Sequence, residues 1–319
     1  MQPGHGCKSA ARELYLVSGL YPTIEGVQKN MVPVTFLYDW EFPSDKDRQT
    51  VMYEFAANGA HHIVLSDTLL KMIGRAPKLY RELPKEAEKA GLDFVDAHAP
   101  FRGDCDPNCP DPKVRPFMLA HLKLMLQIVH DFGVKSCCVH IGNIFYEGYT
   151  ADEMRDAVCR TLDEVLPLAE KLDVTICLEN IFRPLNTVAD VLFYMEKFPS
   201  KCLGACFDSG HANIMENGRN IPDCVAHKAF GDYGFEVPWE KNVLDRMLPH
   251  IVDCHIHDNN ASQDQHILPG KGTIDWKKLV PKLLSAPRLQ CIQSEVIPLR
   301  VQQPIRPLCE KYRELFGEI

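Results

Sequence analysis

No run of about 18 or more apolar residues occurs in the 319-residue chain, so neither a membrane-spanning helix nor a membrane partner is expected. The stretch Met1 to Arg12 is polar and has none of the apolar core of a secretory signal, which points to a cytoplasmic protein. Positive charge is in deficit: 35 Lys and Arg against 43 Asp and Glu leave a formal charge of −8. Chains that bind nucleic acid neutralise phosphates with basic side chains, so a nucleic-acid partner is not expected either. No glycine-rich loop able to cradle a phosphate stands out.

Cysteine, by contrast, is plentiful at 13 residues. The number is odd, and Cys137, Cys138, Cys177, Cys206, Cys254 and Cys291 lie inside strand-like apolar runs. We therefore expect reduced, buried thiols of an intracellular enzyme rather than a disulfide framework. An apolar content of 45% is enough to bury a large core.

Six short apolar runs share one design: each ends in a side chain that binds divalent metals. They end at His98 (Phe94-Val95-Asp96-Ala97-His98), His140 (Cys137-Cys138-Val139-His140) and Glu179 (Val174 to Glu179). The others end at Asp208 (Ala205-Cys206-Phe207-Asp208), His255 (Ile251 to His255) and Glu295 (Cys291 to Glu295). Between them lie helix-period segments. Thr150-Ala151-Asp152-Glu153 reads as a capping box, followed by an apolar stripe through Met154, Val158, Leu162, Val165 and Ala169. A second stripe runs from Met118 to Phe132 and stops at Gly133. Thr187 caps a third helix, and Trp276–Leu284 and Pro307–Phe316 supply later ones.

Strand, helix, strand in repetition predicts parallel βαβ units and an α/β fold. Strands are expected near 62–66, 94–98, 137–140, 174–179, 204–208, 251–255 and 291–295, with an eighth from Leu14–Val17 or Val32–Phe36. Eight such units predict a single (β/α)8 TIM-barrel domain over 1–319. Residues 1–45 would be an N-terminal extension and 212–244 a long loop insertion, either lying over the site or decorating the surface against a neighbouring subunit. An open doubly wound sheet is the alternative, but it would gather ligands at one switch point rather than on six strand ends. Period-two alternation turns Thr175 and Cys177 inward with Glu179, Cys138 with His140, Cys206 with Asp208, and Cys291 and Gln293 with Glu295.

Two clusters are denser than single strand ends: Asp208-Ser209-Gly210-His211, and His255-Ile256-His257-Asp258 with Asp264-Gln265-His266 after it. Gly210 is expected to let the chain turn tightly there. Glu179, Asp208, His255 and Glu295 make a mostly oxygen-donor set suited to Mn²⁺, Mg²⁺, Co²⁺ or Zn²⁺. Most inward cysteines lie two residues deeper than these ligands, so a thiolate site is not expected. Asp253, two residues before His255, is read as orienting that imidazole.

The strings around Glu179, Asp208–His211, His255–Asn259, Asp264–Thr273 and Glu295 resemble the xylose isomerase-like TIM barrels over roughly residues 50 to 300. That family includes sugar phosphate isomerases and epimerases, ketose 3-epimerases and endonuclease IV. Resemblance to the epimerases implies one metal held by Glu179, Asp208, His255 and Glu295, with Glu179 and Glu295 also the acid/base pair and His211 binding substrate oxygens. Resemblance to the endonuclease implies up to three zinc ions, with His98, His140, His211, Asp264 and His266 as additional ligands. The first reading is a metal-dependent isomerase or epimerase of a small sugar, working through an enediolate, with His257, Arg183 and Lys271 as further substrate contacts and a homodimer as the expected assembly. The alternatives are a zinc-dependent phosphodiester hydrolase and a non-catalytic sugar-binding barrel.

Overall fold

A computed structural model describes residues 32–102 and 105–319. Eight strands close into a parallel barrel in chain order. They are β1 (Val34–Phe36), β2 (His62–Leu65), β3 (Asp93–His98), β4 (Ser136–Val139), β5 (Thr175–Glu179), β6 (Leu203–Asp208), β7 (Ile251–Ile256) and β8 (Ile292–Ser294), with β8 pairing back onto β1 through Thr35 opposite Gln293. Val32–Phe36 therefore supplies the eighth strand, and these residues of the expected extension belong to the barrel. Leu14–Val17 lies outside the described residues.

The helices are α1 (Asp45–Ala57), α2 (Asp67–Arg75), α3 (Leu79–Ala90), α4 (Arg115–Asp131), α5 (Ala151–Leu172) and α6 (Val188–Lys197), then α7 (Ser209–Asn217), α8 (Val225–Gly231), α9 (Val243–Met247), α10 (Trp276–Leu283) and α11 (Ile305–Phe316). Local chemistry sets their ends. Thr150 accepts from Glu153 N at 3.2 Å while the Glu153 carboxylate returns to Thr150 N at 2.8 Å, satisfying two backbone donors at the start of α5. The α5 stripe of Met154, Val158, Leu162, Val165 and Ala169 is buried, all but Met154 within the main apolar core. Burying each large apolar side chain of this kind contributes roughly 1.5–3 kcal/mol.

The strands face two ways, as their alternation requires. Val174, Ile176 and Leu178 join the core between barrel and helices, while Cys138, Cys177 and Cys206 pack together inside the barrel. Small interior side chains leave room above them for larger polar ones, which positions the site at the C-terminal mouth.

The segment 212–244 is not one long loop. It holds most of α7, a 3₁₀ turn at Gly218–Asn220, α8 and the start of α9. Ile214, Met215, Cys224, Ala226, Ala229 and Phe230 form a second apolar cluster with Ile181 and Phe182, both of which line the cavity at the barrel mouth. The segment thus flanks the site, and Tyr233 stacks on Phe145 from the β4–α5 connection.

Candidate metal centre

All six expected strand-end residues meet at the barrel mouth. His98, Glu179 and Asp208 end their strands, His255 is the penultimate residue of β7, and His140 and Glu295 follow β4 and β8 by one residue. His211 enters from the first turn of α7. Asp264 and His266 come from the connection between β7 and α10.

Glu179 sits at the centre. Its Oε2 lies 2.9 Å from His140 Nε2 and 3.8 Å from His98 Nε2, while its Oε1 lies 3.1 Å from His211 Nδ1 and 3.6 Å from His255 Nδ1. His255 Nδ1 is also 3.9 Å from Asp208 Oδ2 and 3.3 Å from Glu295 Oε1. On the far side, Asp264 Oδ2 lies 3.6 Å from His211 Nε2 and 3.2 Å from His266 Nε2. Above these groups opens a cavity of about 240 Å³. It is lined by His98, His140, Glu179, His211, Asp264, His266 and Glu295, with Phe101, Phe182, Arg102, Arg183 and Arg300 at its walls.

The electrostatics follow from packing four carboxylates among six imidazoles. Burial alone would raise the Glu179 carboxyl, but His140 and His255 outweigh it and hold it well below the usual carboxylate range. Asp208, under His211 and His257, and Asp264, under His266 and His211, are lowered against the same burial penalty. The partners move the other way: although burial opposes it, Asp208 and Asp264 raise His211 well above the imidazole range, and Asp264 and Glu295 push His266 up to about 9. The carboxylates thus draw positive charge to this spot.

The residues fit a divalent cation. Among the described residues, both ring nitrogens of His255 and Nδ1 of His257 are buried without a hydrogen-bond partner, and an unsatisfied buried polar atom costs about 1–3 kcal/mol. The oxygens around His255 Nδ1 stand at 3.3 to 3.9 Å, too far for good hydrogen bonds. Metal–ligand bonds of about 2.0–2.2 Å place neighbouring ligand atoms roughly 3.0–3.6 Å apart.

Four expected roles differ from what the structure shows. Lys271 turns away, donating to Gln303 Oε1 at 3.2 Å, and is not part of the cavity wall. His257 is fully buried beneath the site, with Nε2 3.1 Å from Asp208 Oδ2, so it supports a carboxylate rather than facing a ligand in the cavity. Asp253 does not orient His255 by a hydrogen bond: among the described residues its Oδ2 and both ring nitrogens of His255 are without hydrogen-bond partners, and Asp253 Oδ1 instead accepts from Cys291 Sγ at 3.0 Å. Gly210, inside α7, is needed for space rather than for turning, because a Cβ there would overlap the His257 ring. Arg183 does line the cavity, beside Phe182.

Several contributors escaped the sequence reading. Asn180, directly after Glu179, donates to Asp208 O at 3.2 Å and accepts from Asp208 N at 2.9 Å, and its carbonyl lies 2.9 Å from His211 Nδ1. Asp258 accepts from Gly270 N at 2.8 Å and Trp276 Nε1 at 2.9 Å, fastening the ends of the loop that carries Asp264 and His266. Arg102 and Arg300 follow β3 and β8, and no pattern in the sequence marked them.

A closed parallel barrel with imidazoles and carboxylates gathered at its C-terminal mouth defines a (β/α)8 protein with a candidate metal centre. The chain belongs to the xylose isomerase-like TIM barrel family, whose sequence model matches residues 52–288. An uncharacterized protein of Methanocaldococcus jannaschii is 24% identical over 272 residues, covering 83% of this chain and 81% of that protein. A protein of Mycoplasmopsis pulmonis named "Probable endonuclease 4" is 23% identical over 171 residues, 51% of this chain and 56% of its own length. Among solved structures, a D-tagatose 3-epimerase-like protein superposes with a TM-score of 0.66 at 20% identity, over 90% of this chain and 99% of its own. An IolI protein carrying a zinc atom superposes with a TM-score of 0.62 at 16% identity, over 89% and 96%.

Proposed function

We propose that the protein is a divalent-metal-dependent isomerase or epimerase of a small sugar or sugar derivative. The observation that carries this reading is that Glu179 and Glu295 line a cavity of about 240 Å³, with His255 Nδ1 within 3.6 Å of both and Asp208 Oδ2 3.9 Å from that nitrogen. Ligand cavities run from roughly 300 to 1,000 Å³, so this one suits a ligand of few atoms. The likeness to a D-tagatose 3-epimerase-like fold supports the same class.

Glu179, Asp208, His255 and Glu295 would hold Mn²⁺, Zn²⁺, Co²⁺ or Mg²⁺, with the zinc-bearing neighbour in support of such a centre. When bound, the ion supplies a Lewis acid that polarises substrate carbonyl and hydroxyl oxygens. The chain's own groups do the rest. One glutamate removes the proton from the carbon beside the carbonyl, leaving an enediolate, and the other returns a proton on the opposite face. The two are not equivalent. Glu179 is gripped on both oxygens and held well below the carboxylate range, which makes it a weak base. Glu295 has longer contacts, 3.3 Å to His255 Nδ1 and 3.7 Å to His266 Nδ1, and lines the cavity, so it is the freer proton carrier. His211 and Arg183 would hold substrate hydroxyls, and the walls of Phe101 and Phe182 keep water from the enediolate.

A second reading, phosphodiester hydrolysis at a zinc cluster, is favoured by the meeting of all nine residues that resemble endonuclease IV ligands and by the Mycoplasmopsis relative. The acidic chain and the small cavity weigh against it. Elemental analysis of unchelated protein, with a ketose panel assayed for exchange of the α-hydrogen in deuterated solvent, separates the two. Exchange on a ketose supports the isomerase. Cleavage of abasic-site DNA without exchange overturns it, and activity on neither leaves the non-catalytic barrel.

A further inference from the structure

We propose that Cys138 completes, with His98, His140 and Glu179, a closed four-ligand site for a thiophilic ion such as Zn²⁺, a proposal that rests on the reading of the barrel mouth as a metal centre. The ligand atoms of these four residues all lie within 4.8 Å of one another. Cys138 Sγ is 3.3 Å from Glu179 Oε2, the same oxygen that stands 2.9 Å from His140 Nε2 and 3.8 Å from His98 Nε2. A tetrahedral ion with bonds of about 2.0–2.1 Å to nitrogen and about 2.3 Å to sulfur separates its ligand atoms by roughly 3.3–3.7 Å. The three distances to Glu179 Oε2, 2.9, 3.3 and 3.8 Å, bracket that spacing.

The imidazoles are also held in the orientation that coordination needs. His98 Nδ1 bonds Ala99 O at 2.9 Å, and His140 Nδ1 faces the Asn143 side-chain amide at 2.9 to 3.2 Å. Each ring therefore turns Nε2 toward Glu179, the arrangement by which an outer partner orients a ligating histidine. Cys138 lies two residues before His140 on β4 and is fully buried, yet Glu179 reaches down to it. Depth along the strand alone had argued against a thiolate ligand.

Two consequences follow. A thiolate selects Zn²⁺ over Mg²⁺ and Mn²⁺ at this position. Four protein ligands also leave no open place for water, as in structural rather than catalytic zinc sites. The ion here would anchor Glu179, whose other oxygen faces His211 and His255, and would not generate a nucleophilic hydroxide.

The test uses the full chain, stripped with a chelator and reloaded with Zn²⁺ or Co²⁺. X-ray absorption of the zinc-loaded wild type should show a sulfur neighbour at about 2.3 Å. The cobalt form should show a thiolate-to-metal charge-transfer band in the near ultraviolet. That band should vanish in Cys138→Ser and persist in Cys206→Ser, the control chosen because Cys138, Cys206 and His255 also lie within 4.8 Å of one another. Bound metal without sulfur, or a band that survives Cys138→Ser, overturns the proposal and leaves the metal centre standing. Failure of the wild type to bind either metal overturns both. The absorption measurement needs no variant, so misfolding of Cys138→Ser would not protect the idea.

Discussion

Asp208 carries two duties that substitution can separate. Its Oδ1 caps α7, accepting from His211 N at 2.6 Å, while its Oδ2 faces His257 Nε2 at 3.1 Å and His255 Nδ1 at 3.9 Å. Asn caps a helix as well as Asp does, so Asp208→Asn should keep the fold and lose the charge. Asp208→Ala loses both: about 1 kcal/mol for the cap and about 1–3 kcal/mol for the stranded His257 nitrogen. In chelator-stripped protein we therefore expect Asp208→Asn to melt near the wild type and Asp208→Ala well below it, at about 2–4 °C per kcal/mol. Metal should then discriminate again. An ion at 100 to 1,000 times its dissociation constant stabilises the wild type by about 2.7–4.1 kcal/mol, roughly 5–16 °C. Each tenfold loss of affinity in Asp208→Asn removes about 1.4 kcal/mol of that gain. Calorimetry with and without metal, alongside elemental analysis, reads both effects. A variant that binds metal as tightly as the wild type and shows the same metal-dependent rise would refute the placing of Asp208 in the centre.

Glu295→Gln should weaken metal binding, as Asp208→Asn does, and, assayed with metal in excess so that the site stays loaded, should still lower ketose turnover on the order of 10²–10⁴-fold; full turnover would remove Glu295 from proton transfer. Stripped protein should lose stability as pH rises. His266 is held at about 9, above its ordinary value near 6.5, so its contribution is complete below 6.5 and disappears through 9. Melting temperatures across that window check the sign, and a flat profile would contradict it. Asp258→Ala strands the Trp276 indole and the Gly270 amide, so a loss of about 2 kcal/mol or more is expected in denaturant unfolding, with weakened binding at Asp264 and His266. Gly210→Ala should displace the His257 ring and weaken metal binding without changing the net charge; unchanged affinity would show that His257 does not support Asp208.

The barrel was legible because two independent patterns coincide in the same residues. A buried parallel strand needs apolar side chains on its outer face, and Val174, Ile176 and Leu178 supply them while Glu179 ends the run. The same register repeats at Asp208 and His255, so the pattern that predicts strands also predicts where their polar ends meet. β1 was harder because Val34–Phe36 is three residues long and ends without a ligand. The helices of 212–244 were hidden for a related reason: α8 spans seven residues and α9 five, too few turns for a 3.6-residue period to emerge.

What stayed out of reach depends on directions that spacing does not encode. Alternation correctly turned Cys138 inward, but depth along a strand said nothing of how far the Glu179 side chain reaches down to meet it. Lys271 and Asp253 illustrate the converse. Both lie close in sequence to metal-type residues, and neither hydrogen-bonds to them, because one donates to Gln303 and the other accepts from Cys291. The oxygens of Glu179 divide the centre into two parts. One part, with His98, His140 and Cys138, is crowded by side chains able to ligate a metal. The other, with His255, Asp208 and Glu295, keeps unpartnered ring nitrogens beneath a cavity. On the proposed isomerase reading, chemistry on a substrate requires open positions and a mobile proton carrier, and both would belong to the second part. A single experiment bears on this division: if Glu295→Gln and His98→Ala lower turnover equally while only the latter loses zinc, the two parts work as one.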